Sequence, residues 1–179
     1  MVKIILLTGK KAGGKSIFAN ICRNLKIPVF EMSDIIFDLM RIQKVKIDSI
    51  STGKFAENLR DKEGKEVVAK KVFEKTKTIK NNLILISGLR SIEELNYFKK
   101  YANSILINVD ADDKIRFERI QKRGRKSDPV NYNMFLVREI SENKLGINKL
   151  LPQADVIIKN NKGMEEFERK IKDLIRFIS

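Results

Sequence analysis

Short apolar segments alternate along this chain with longer segments of helical spacing. The apolar segments are rich in Ile, Leu and Val and are too short for helices, which is typical of buried strands. They cover residues 2–8, 27–31, 83–87, 104–109 and 154–158. Because strands buried on both faces form continuous apolar runs, the pattern predicts a five-stranded parallel sheet.

The segments between these strands predict helices on both faces of the sheet, which gives an α/β fold of three layers, αβα. Ser91 and Glu94 form a capping box, so one helix is expected to begin at about residue 92. The other predicted helices are 14–25, 34–44 with Ser33 as N-cap, 54–80 with a break near Gly64, 112–123, 132–145, and a last helix from Met164. Ligands of such folds bind beyond the carboxyl ends of the strands.

The chain of 179 residues is predicted to form a single domain, 1–179, since no repeat, low-complexity tract or linker divides it. Its single cysteine, Cys22, lies in a helical pattern and is predicted to be part of the core. No signal peptide is recognisable, and no apolar run approaches the roughly 20 residues that a membrane span requires. A cytoplasmic protein without a membrane partner is therefore expected.

The formal net charge is +14, and two interpretations remain open. The lysines can form an ordinary solvated surface, or they can attract polyanions such as ATP, a phosphorylated acceptor or nucleic acid. Their spread over the whole length favours the first interpretation, so nucleic acid is a possible but not a favoured partner. The chain has no histidine, which excludes imidazole acid–base chemistry and histidine metal sites.

One motif carries specific chemistry, because residues 9–16 match G-x-x-x-x-G-K-[ST] and lie between a predicted strand and a predicted helix. Glycines let the backbone curl so that its N–H groups point at phosphate oxygens, and the helix N-terminus adds positive potential. Lys15 is predicted to reach the β- and γ-phosphates, and Ser16 to ligate Mg²⁺. The predicted phosphate-binding loop is Gly9, Lys10, Lys11, Ala12, Gly13, Gly14, Lys15 and Ser16.

Motifs elsewhere in the chain narrow the class of P-loop protein. GTPases mark guanine with Asn-Lys-x-Asp, and the Asn-Lys pairs that begin at Asn143, Asn148 and Asn161 have no aspartate two places on. Asp61 and Gly64 imitate a D-x-x-G switch motif, but they lie in a charged helical stretch and do not follow a strand. A guanine-dependent switch is therefore disfavoured.

Kinases need arginines that hold the phosphoryl group during transfer. Arg116, Arg119 and Arg123 are spaced by three and four residues and so share one helix face. They precede a polar, irregular segment, about 124–131, that is predicted to form a short lid. Arg138 on the next helix is a candidate to close on the site from the far side.

A second group of residues is suited to bind the phosphate of an acceptor. Gly88 and Arg90 follow the third strand, where glycine permits close approach and arginine offers a guanidinium fork. Arg60, in the charged helical region, is a further candidate. The predicted acceptor-binding set is Ser33, Arg41, Arg60, Gly88, Arg90 and Arg138.

The sequence resembles the archaeal adenylate-kinase-related proteins, a group near the adenylate, cytidylate and dephospho-coenzyme A kinases. The resemblance covers nearly the whole chain. It rests on the P-loop and on four further segments: LRDKEGKEVVAKKV, SGLRS, RFERIQKRGRKSDP and ADVIIKN. It implies a P-loop NTPase fold with a helical acceptor-binding insertion, here about 33–80, and a short lid.

The resemblance also implies roles for single residues. Arg90 matches the acceptor-phosphate arginine of an Asp-Gly-x-Arg pattern, Arg119 and Arg123 match arginines that touch ATP phosphates at the lid base, and Asn160 matches a position that borders the adenine.

This chain departs from the family pattern at two positions. Ser87 replaces the usual aspartate, and Phe37 replaces an acceptor-binding arginine for which Arg41 is a candidate substitute. Asp34 follows the second strand and is predicted to supply the missing carboxylate, either beside Mg²⁺ or as a base for an acceptor hydroxyl.

These observations predict ATP-dependent phosphoryl transfer to a nucleoside monophosphate, with AMP as the first acceptor to test. The predicted catalytic residues are Lys15, Arg119, Arg123 and Asp34, and the predicted cofactors are ATP and Mg²⁺. A kinase of dephospho-coenzyme A or another small molecule is the nearest alternative. A second alternative is an ATPase or ATP-gated factor that binds RNA or protein. The sequence leaves the oligomeric state open.

Overall fold

The computed structural model describes residues 2–124, 128–144 and 146–179. It confirms the five-stranded parallel sheet, whose strand order is β2-β3-β1-β4-β5. The strands are β1 Lys3–Thr8, β2 Val29–Glu31, β3 Leu83–Ser87, β4 Asn103–Asp110 and β5 Val156–Lys159. Since β1 lies between β3 and β4, the loop after β1 leaves the sheet at its centre.

Helices cover this sheet on both sides. They are α1 Lys15–Asn24, α2 Met32–Ile42, α3 Ser49–Glu63, α4 Val67–Thr76, α5 Ile92–Tyr101, α6 Asp113–Arg123, α7 Tyr132–Lys144, α8 Ile147–Leu150 and α9 Met164–Ile178. Side chains of β1 alternate between two cores, as the pleat of a strand requires. Ile4 and Leu6 pack with α2, α4 and α5, whereas Ile5 and Leu7 pack with α1 and α9. The three-layer αβα arrangement is therefore confirmed.

The helices α2, α3 and α4 lie between β2 and β3, within the segment 33–80 that was predicted to bind the acceptor. The predicted break at Gly64 is confirmed, because this glycine adopts a φ of 96° between α3 and α4. None of the helices in the described part of the chain is both long and apolar enough to cross a membrane.

The structure corrects several predicted helix and strand ends. The N-cap of α2 is Glu31 and not Ser33, because Glu31 keeps extended backbone angles and the helix begins at Met32. The helix α3 begins at Ser49, since Asp48 accepts a hydrogen bond from the backbone N–H of Ser51 at 2.9 Å. The strand β5 begins two residues later than predicted, and the short helix α8 was not predicted.

A buried ion pair joins α6 to α7. Arg116 is fully buried, and its two terminal nitrogens donate to the carboxylate of Glu139 at 2.9 and 2.6 Å. The guanidinium also donates to the carbonyl of Lys11 at 3.1 Å and to Asp113 at 2.6 Å. Through these contacts Arg116 connects α6 to α7 and to the loop after β1. Its burial does not support the contact with phosphate that the helix spacing suggested.

The carboxylate of Glu139 compensates the buried positive charge of Arg116. Burial by itself would raise the pKa of the Glu139 carboxyl, but hydrogen bonds and charge from Arg116 and then Lys10 hold that pKa below its ordinary value. Lys10 lies 3.1 Å from the same carboxylate, so the pair also anchors the loop after β1.

We predict that Glu139→Gln lowers the free energy of unfolding by about 3 kcal/mol at pH 7, because Arg116 would lose its main buried partner. A carboxyl whose pKa is depressed by folding stabilises the protein above its unfolded pKa of about 4.3. That contribution is lost as the pH falls through the lower folded pKa. Urea unfolding of both proteins should therefore show a difference that shrinks toward pH 3.

The control variant is Glu118→Gln, which makes the same charge change at an exposed position of α6. Its free energy of unfolding should stay within about 0.5 kcal/mol of the unmodified protein. Equal destabilisation by the two variants would contradict the structural role of the buried pair.

We predict that Cys22 does not react with iodoacetamide at pH 8 in the folded protein. Burial raises the pKa of this thiol to about 12, against a smaller opposing effect of Arg23, and thiolate is the reactive form. Alkylation followed by mass spectrometry should show modification only when urea unfolds the chain. Rapid modification without urea would show that Cys22 is accessible.

Candidate active site

The loop between β1 and α1 is curled tightly against the end of β4. Gly9 and Gly13 face the carbonyl oxygen of Val109, and a Cβ atom at these positions would lie 2.3 and 2.9 Å from that oxygen. Gly9 has a φ of 140° and Ala12 a φ of 61°, so the chain reverses its course within the loop. The cradle that the motif predicted is present, and its form and the α1 N-terminus above it fit a polyphosphate.

Lys15 lies across this loop. Its ammonium group donates to the carbonyl of Gly9 at 2.5 Å and to the carbonyl of Lys10 at 3.0 Å. Ser16 is the next residue, in the first turn of α1, and is exposed. The loop therefore places one fixed cation and one exposed hydroxyl-bearing residue at the helix N-terminus, as binding of a phosphate–Mg²⁺ group would require.

Asn160 braces the loop from behind. This buried side chain follows β5, and its amide nitrogen donates to the carbonyl of Gly13 at 2.7 Å. A Cβ atom at Gly14 would lie 2.4 Å from the same nitrogen, so glycine is needed for this approach. Asn160 therefore contacts the backbone of the loop. Its contact with adenine stays a prediction.

Arg119 joins the same brace. Its guanidinium donates to the carbonyl and side-chain oxygens of Asn160 at 2.8 and 3.1 Å, and to the carbonyl of Ala12 at 3.4 Å. Burial lowers the pKa of this guanidinium from its ordinary value, although arginine stays charged at neutral pH. Arg119 thus lies at the edge of the loop, and its contact with ATP phosphates stays a prediction.

Arg123 is held by a carboxylate of the predicted lid. It donates to both oxygens of Asp128 at 2.7 and 2.6 Å, and Lys11 lies 3.6 Å from the same carboxylate. Asp128 therefore bridges two cations that were predicted to bind phosphate. Residues 125–127 of the predicted lid, 124–131, lie outside the described residues.

A cleft of about 920 Å³ lies next to the loop, and Lys15 and Ser16 are among the residues that line it. The phosphate loop, α2, α3, the turn after β3 and the α7–α8 segment line it. Its volume suits a small-molecule ligand. The predicted site residues that the structure brings together in this cleft are Lys15, Ser16, Ser33, Arg60, Gly88 and Arg90.

Ser87 and Gly88 form the floor of this cleft. Ser87 is buried at the end of β3, and Gly88 turns the chain with a φ of 102° while its N–H donates to the carbonyl of Leu7 at 2.9 Å. Glu31 pairs with Ser87 across the sheet and lines the cleft together with Lys15. A carboxylate is therefore present beside Ser87, the position at which the resemblance implied an aspartate.

Glu31 was missed in the sequence analysis, although a signal was available. It is the last residue of the predicted strand 27–31, and the carboxyl ends of parallel strands carry the ligand-binding residues. Its side chain is 29% exposed and lies 3.5 Å from the guanidinium of Arg23.

Several predicted site residues do not line the cleft. They are the loop residues 9–14, Asp34, Arg41, Arg119, Arg123, Arg138 and Asn160. Asp34 is exposed on α2, one turn beyond Glu31, and Arg138 is half-buried on α7. Arg41 is exposed and donates to Asp38 on its own helix at 2.9 Å. The predicted site roles of Asp34, Arg41 and Arg138 therefore stay predictions.

The cleft also contains residues that the sequence analysis did not select. Lys65 follows α3, and Asn143, Asn148 and Lys149 lie on the α7–α8 segment. The side-chain oxygen of Asn143 is buried and finds no hydrogen-bond partner within the described ranges. The sequence analysis considered the Asn-Lys pairs at Asn143 and Asn148 only as possible guanine motifs, and it gave Lys65 no role although Lys65 lies in the segment LRDKEGKEVVAKKV.

Solved structures share this fold at low sequence identity. TT1252 from Thermus thermophilus aligns with a TM-score of 0.67 and 17% identity over 99% of this chain and 98% of that chain. Dephospho-CoA kinase from Campylobacter jejuni aligns over the same shares with a TM-score of 0.62 and 21% identity. Shikimate kinase from Bacteroides thetaiotaomicron has a TM-score of 0.61 and 15% identity over those shares. The likeness establishes a P-loop kinase-like fold and nothing beyond the fold.

The sequence itself identifies the family. Residues 5–143 match the family model described as AAA domain. A UPF0200 protein of Hyperthermus butylicus is 33% identical over 96% of this chain and 92% of its own length. A UPF0200 protein of Sulfurisphaera tokodaii is 34% identical over 99% of this chain and 98% of its own length. The predicted resemblance to an archaeal group with a P-loop kinase-like domain is confirmed, and the chain belongs to the UPF0200 family.

Proposed function

We propose that this protein transfers the γ-phosphate of ATP to a nucleoside monophosphate, with AMP as the first acceptor to test. One observation carries the proposal. The phosphate-loop residues Lys15 and Ser16 and two arginines from other elements, Arg60 and Arg90, line a single cleft. Phosphoryl transfer requires this arrangement, since donor and acceptor phosphates must meet in one space.

On the donor side, the curled loop would hold the triphosphate with its backbone amides, and Lys15 would move from the loop carbonyls to the phosphate oxygens. Arg119 is held at the loop edge by Asn160, and it would turn from these oxygens to a phosphate. Arg123 would exchange Asp128 for phosphate. Ser16 would ligate Mg²⁺, which when bound neutralises charge on the phosphates.

On the acceptor side, Arg60 and Arg90 would bind the acceptor phosphate with charge-assisted hydrogen bonds. Lys65 and Lys149 add positive charge to the same cleft. Asn143 supplies a buried amide oxygen that can accept a hydrogen bond from a base or sugar.

A specific observation favours one second candidate, the transfer of phosphate to a hydroxyl group of a small molecule such as dephospho-coenzyme A. Nucleoside monophosphate acceptors attack with an ionised phosphate oxygen and need no base. A hydroxyl acceptor gains from a carboxylate that accepts its proton. Glu31 shares the cleft with Lys15, and under this alternative it would take the role that the sequence analysis gave to Asp34.

The test is a panel of AMP, CMP, UMP, dGMP and dephospho-coenzyme A, each with Mg-ATP, followed by chromatography of the phosphorylated product. We expect product with a nucleoside monophosphate and ADP release that depends on it. Product with dephospho-coenzyme A alone would favour the hydroxyl alternative. Acceptor-independent ADP release together with RNA binding that weakens steeply with salt would favour an ATP-gated nucleic-acid factor.

We predict that Lys15→Ala lowers turnover in the active reaction by at least about 100-fold, because a cation that stabilises the transferring phosphoryl group would be lost. The circular dichroism spectrum should be unchanged, since the Lys15 ammonium group donates to carbonyls of its own loop. Undiminished turnover in a folded variant would move the active site away from this loop.

We predict that Arg90→Ala raises the KM for AMP on the order of tenfold to a hundredfold, since a hydrogen bond to a charged group contributes roughly 1.5–3 kcal/mol. The KM for ATP should change less than about twofold, because Arg90 lies in the turn after β3 on the acceptor side of the cleft. Arg169→Ala, at an exposed position of α9, is the matched control. A larger effect on ATP than on AMP would remove Arg90 from the acceptor site.

A further inference from the structure

A buried carboxylate lies directly behind the acceptor side of the cleft. Glu94, in the first turn of α5, has no exposed surface. One of its oxygens accepts a hydrogen bond from the guanidinium of Arg60 at 3.1 Å, and the other accepts from the backbone N–H of Arg90 at 2.9 Å. Both residues that are proposed to bind the acceptor phosphate are therefore attached to one side chain.

This arrangement differs from a simple helix cap. Ser91 accepts from the backbone N–H of Glu94 at 3.3 Å, which is the first half of a capping box. In the usual reciprocal bond, the glutamate would reach back to the N–H of Ser91. Glu94 instead reaches the N–H of Arg90, one residue earlier. Capping the helix uses only one oxygen of the Glu94 carboxylate. Capping therefore does not explain why the other oxygen contacts Arg60 on α3.

Arg60 is fixed from two sides. Its second terminal nitrogen donates to the carbonyl of Ala56 at 3.2 Å, and its side chain keeps 27% exposure at the cleft. A guanidinium has five N–H donors, and these two contacts leave donors for a ligand. A second ion pair, Lys65 with Glu93 at 3.6 Å, joins the end of α3 to the same turn of α5.

We propose that Glu94 is a positioning residue for the acceptor phosphate. It holds the Arg60 guanidinium of α3 and the Arg90 backbone of the β3–α5 turn in one geometry, so that the two arginines face one ligand. A buried carboxylate without its cation is costly, and this cost keeps α3 against the turn. The inference rests on the proposed function, because it requires that the cleft binds a phosphate-bearing acceptor.

The variant Glu94→Gln tests this role with little change of shape. Its amide oxygen can still accept from the N–H of Arg90, whereas its amide nitrogen presents donors to a guanidinium that has no acceptor. Misplacement of a binding group by about 1 Å can cost on the order of a hundredfold. We expect the dissociation constant for AMP, measured by calorimetry without ATP, to rise at least about tenfold, and the KM for ATP to stay within about twofold.

A double-mutant cycle separates positioning from general stability. Arg60→Met removes the guanidinium and should weaken AMP binding by itself. If Glu94 acts through Arg60, adding Glu94→Gln to Arg60→Met causes no further loss of AMP affinity. The double variant also removes both charges of the pair, so it remains testable even if Glu94→Gln alone does not fold. Glu63→Gln, on α3 with its carboxylate 3.2 Å from Lys71, is the matched control and should bind AMP normally.

The outcomes are distinct. Two results would overturn the positioning role and leave the proposed function standing. One is that the losses of AMP affinity from the two substitutions are additive. The other is that folded Glu94→Gln binds AMP with unchanged affinity. Failure of the unmodified protein to bind AMP and each other phosphate-bearing acceptor of the panel would overturn both. A loss confined to Glu94→Gln and Arg60→Met, with the cycle non-additive, supports the inference.

Discussion

The site depends on the close approach of the phosphate loop to the end of β4. Gly9 and Gly13 lie so near the carbonyl of Val109 that no Cβ atom fits between them. This contact presses the loop onto the sheet, and Asn160 holds it there from β5 through the carbonyl of Gly13. Because the loop is fixed to two strands, the N-terminus of α1 and the Lys15 side chain are held at the mouth of the cleft.

Charge compensation is the second organising feature. Although the chain carries a net charge of +14, four cations around the loop and the cleft are paired with carboxylates. The pairs are Lys10 with Glu139, Lys11 and Arg123 with Asp128, and Arg60 with Glu94. Partly buried cations are stable only when compensated, so these carboxylates hold them in place. An incoming polyanion would take over part of that compensation.

Under the proposed function the cleft has a donor side and an acceptor side, and these come from different parts of the chain. The donor side comes from β1, β4, β5 and their loops, which are common to P-loop folds of many activities, so it says little about the acceptor. The acceptor side comes from the inserted helices α2 to α4, the turn after β3 and the α7–α8 segment. If the proposed function holds, discrimination between acceptors would reside in these parts, where Glu31, Arg60 and Asn143 line the cleft.

The amino-acid sequence by itself determined most features that local spacing controls, although it misplaced the N-cap of α2 and the start of α3. Apolar runs marked the strands, the Gly9–Ser16 motif marked the loop, Ser91 marked the start of α5, and Gly64 marked the break between α3 and α4. These features depend on residues within a few positions of each other, so their physical causes are visible in a short window of sequence.

The tertiary structure alone decided which charged residues lie together at the candidate site. Helix spacing placed Arg116 and Arg119 on one face of α6. Only the packing shows that Arg116 pairs with Glu139, whereas Arg119 contacts the loop. Packing also pairs Arg41 with Asp38, places Glu31 in the cleft, and brings the buried Glu94 into contact with Arg60. The cost of burying a charge depends on partners 23 or 34 residues away along the chain, and local sequence does not contain that information.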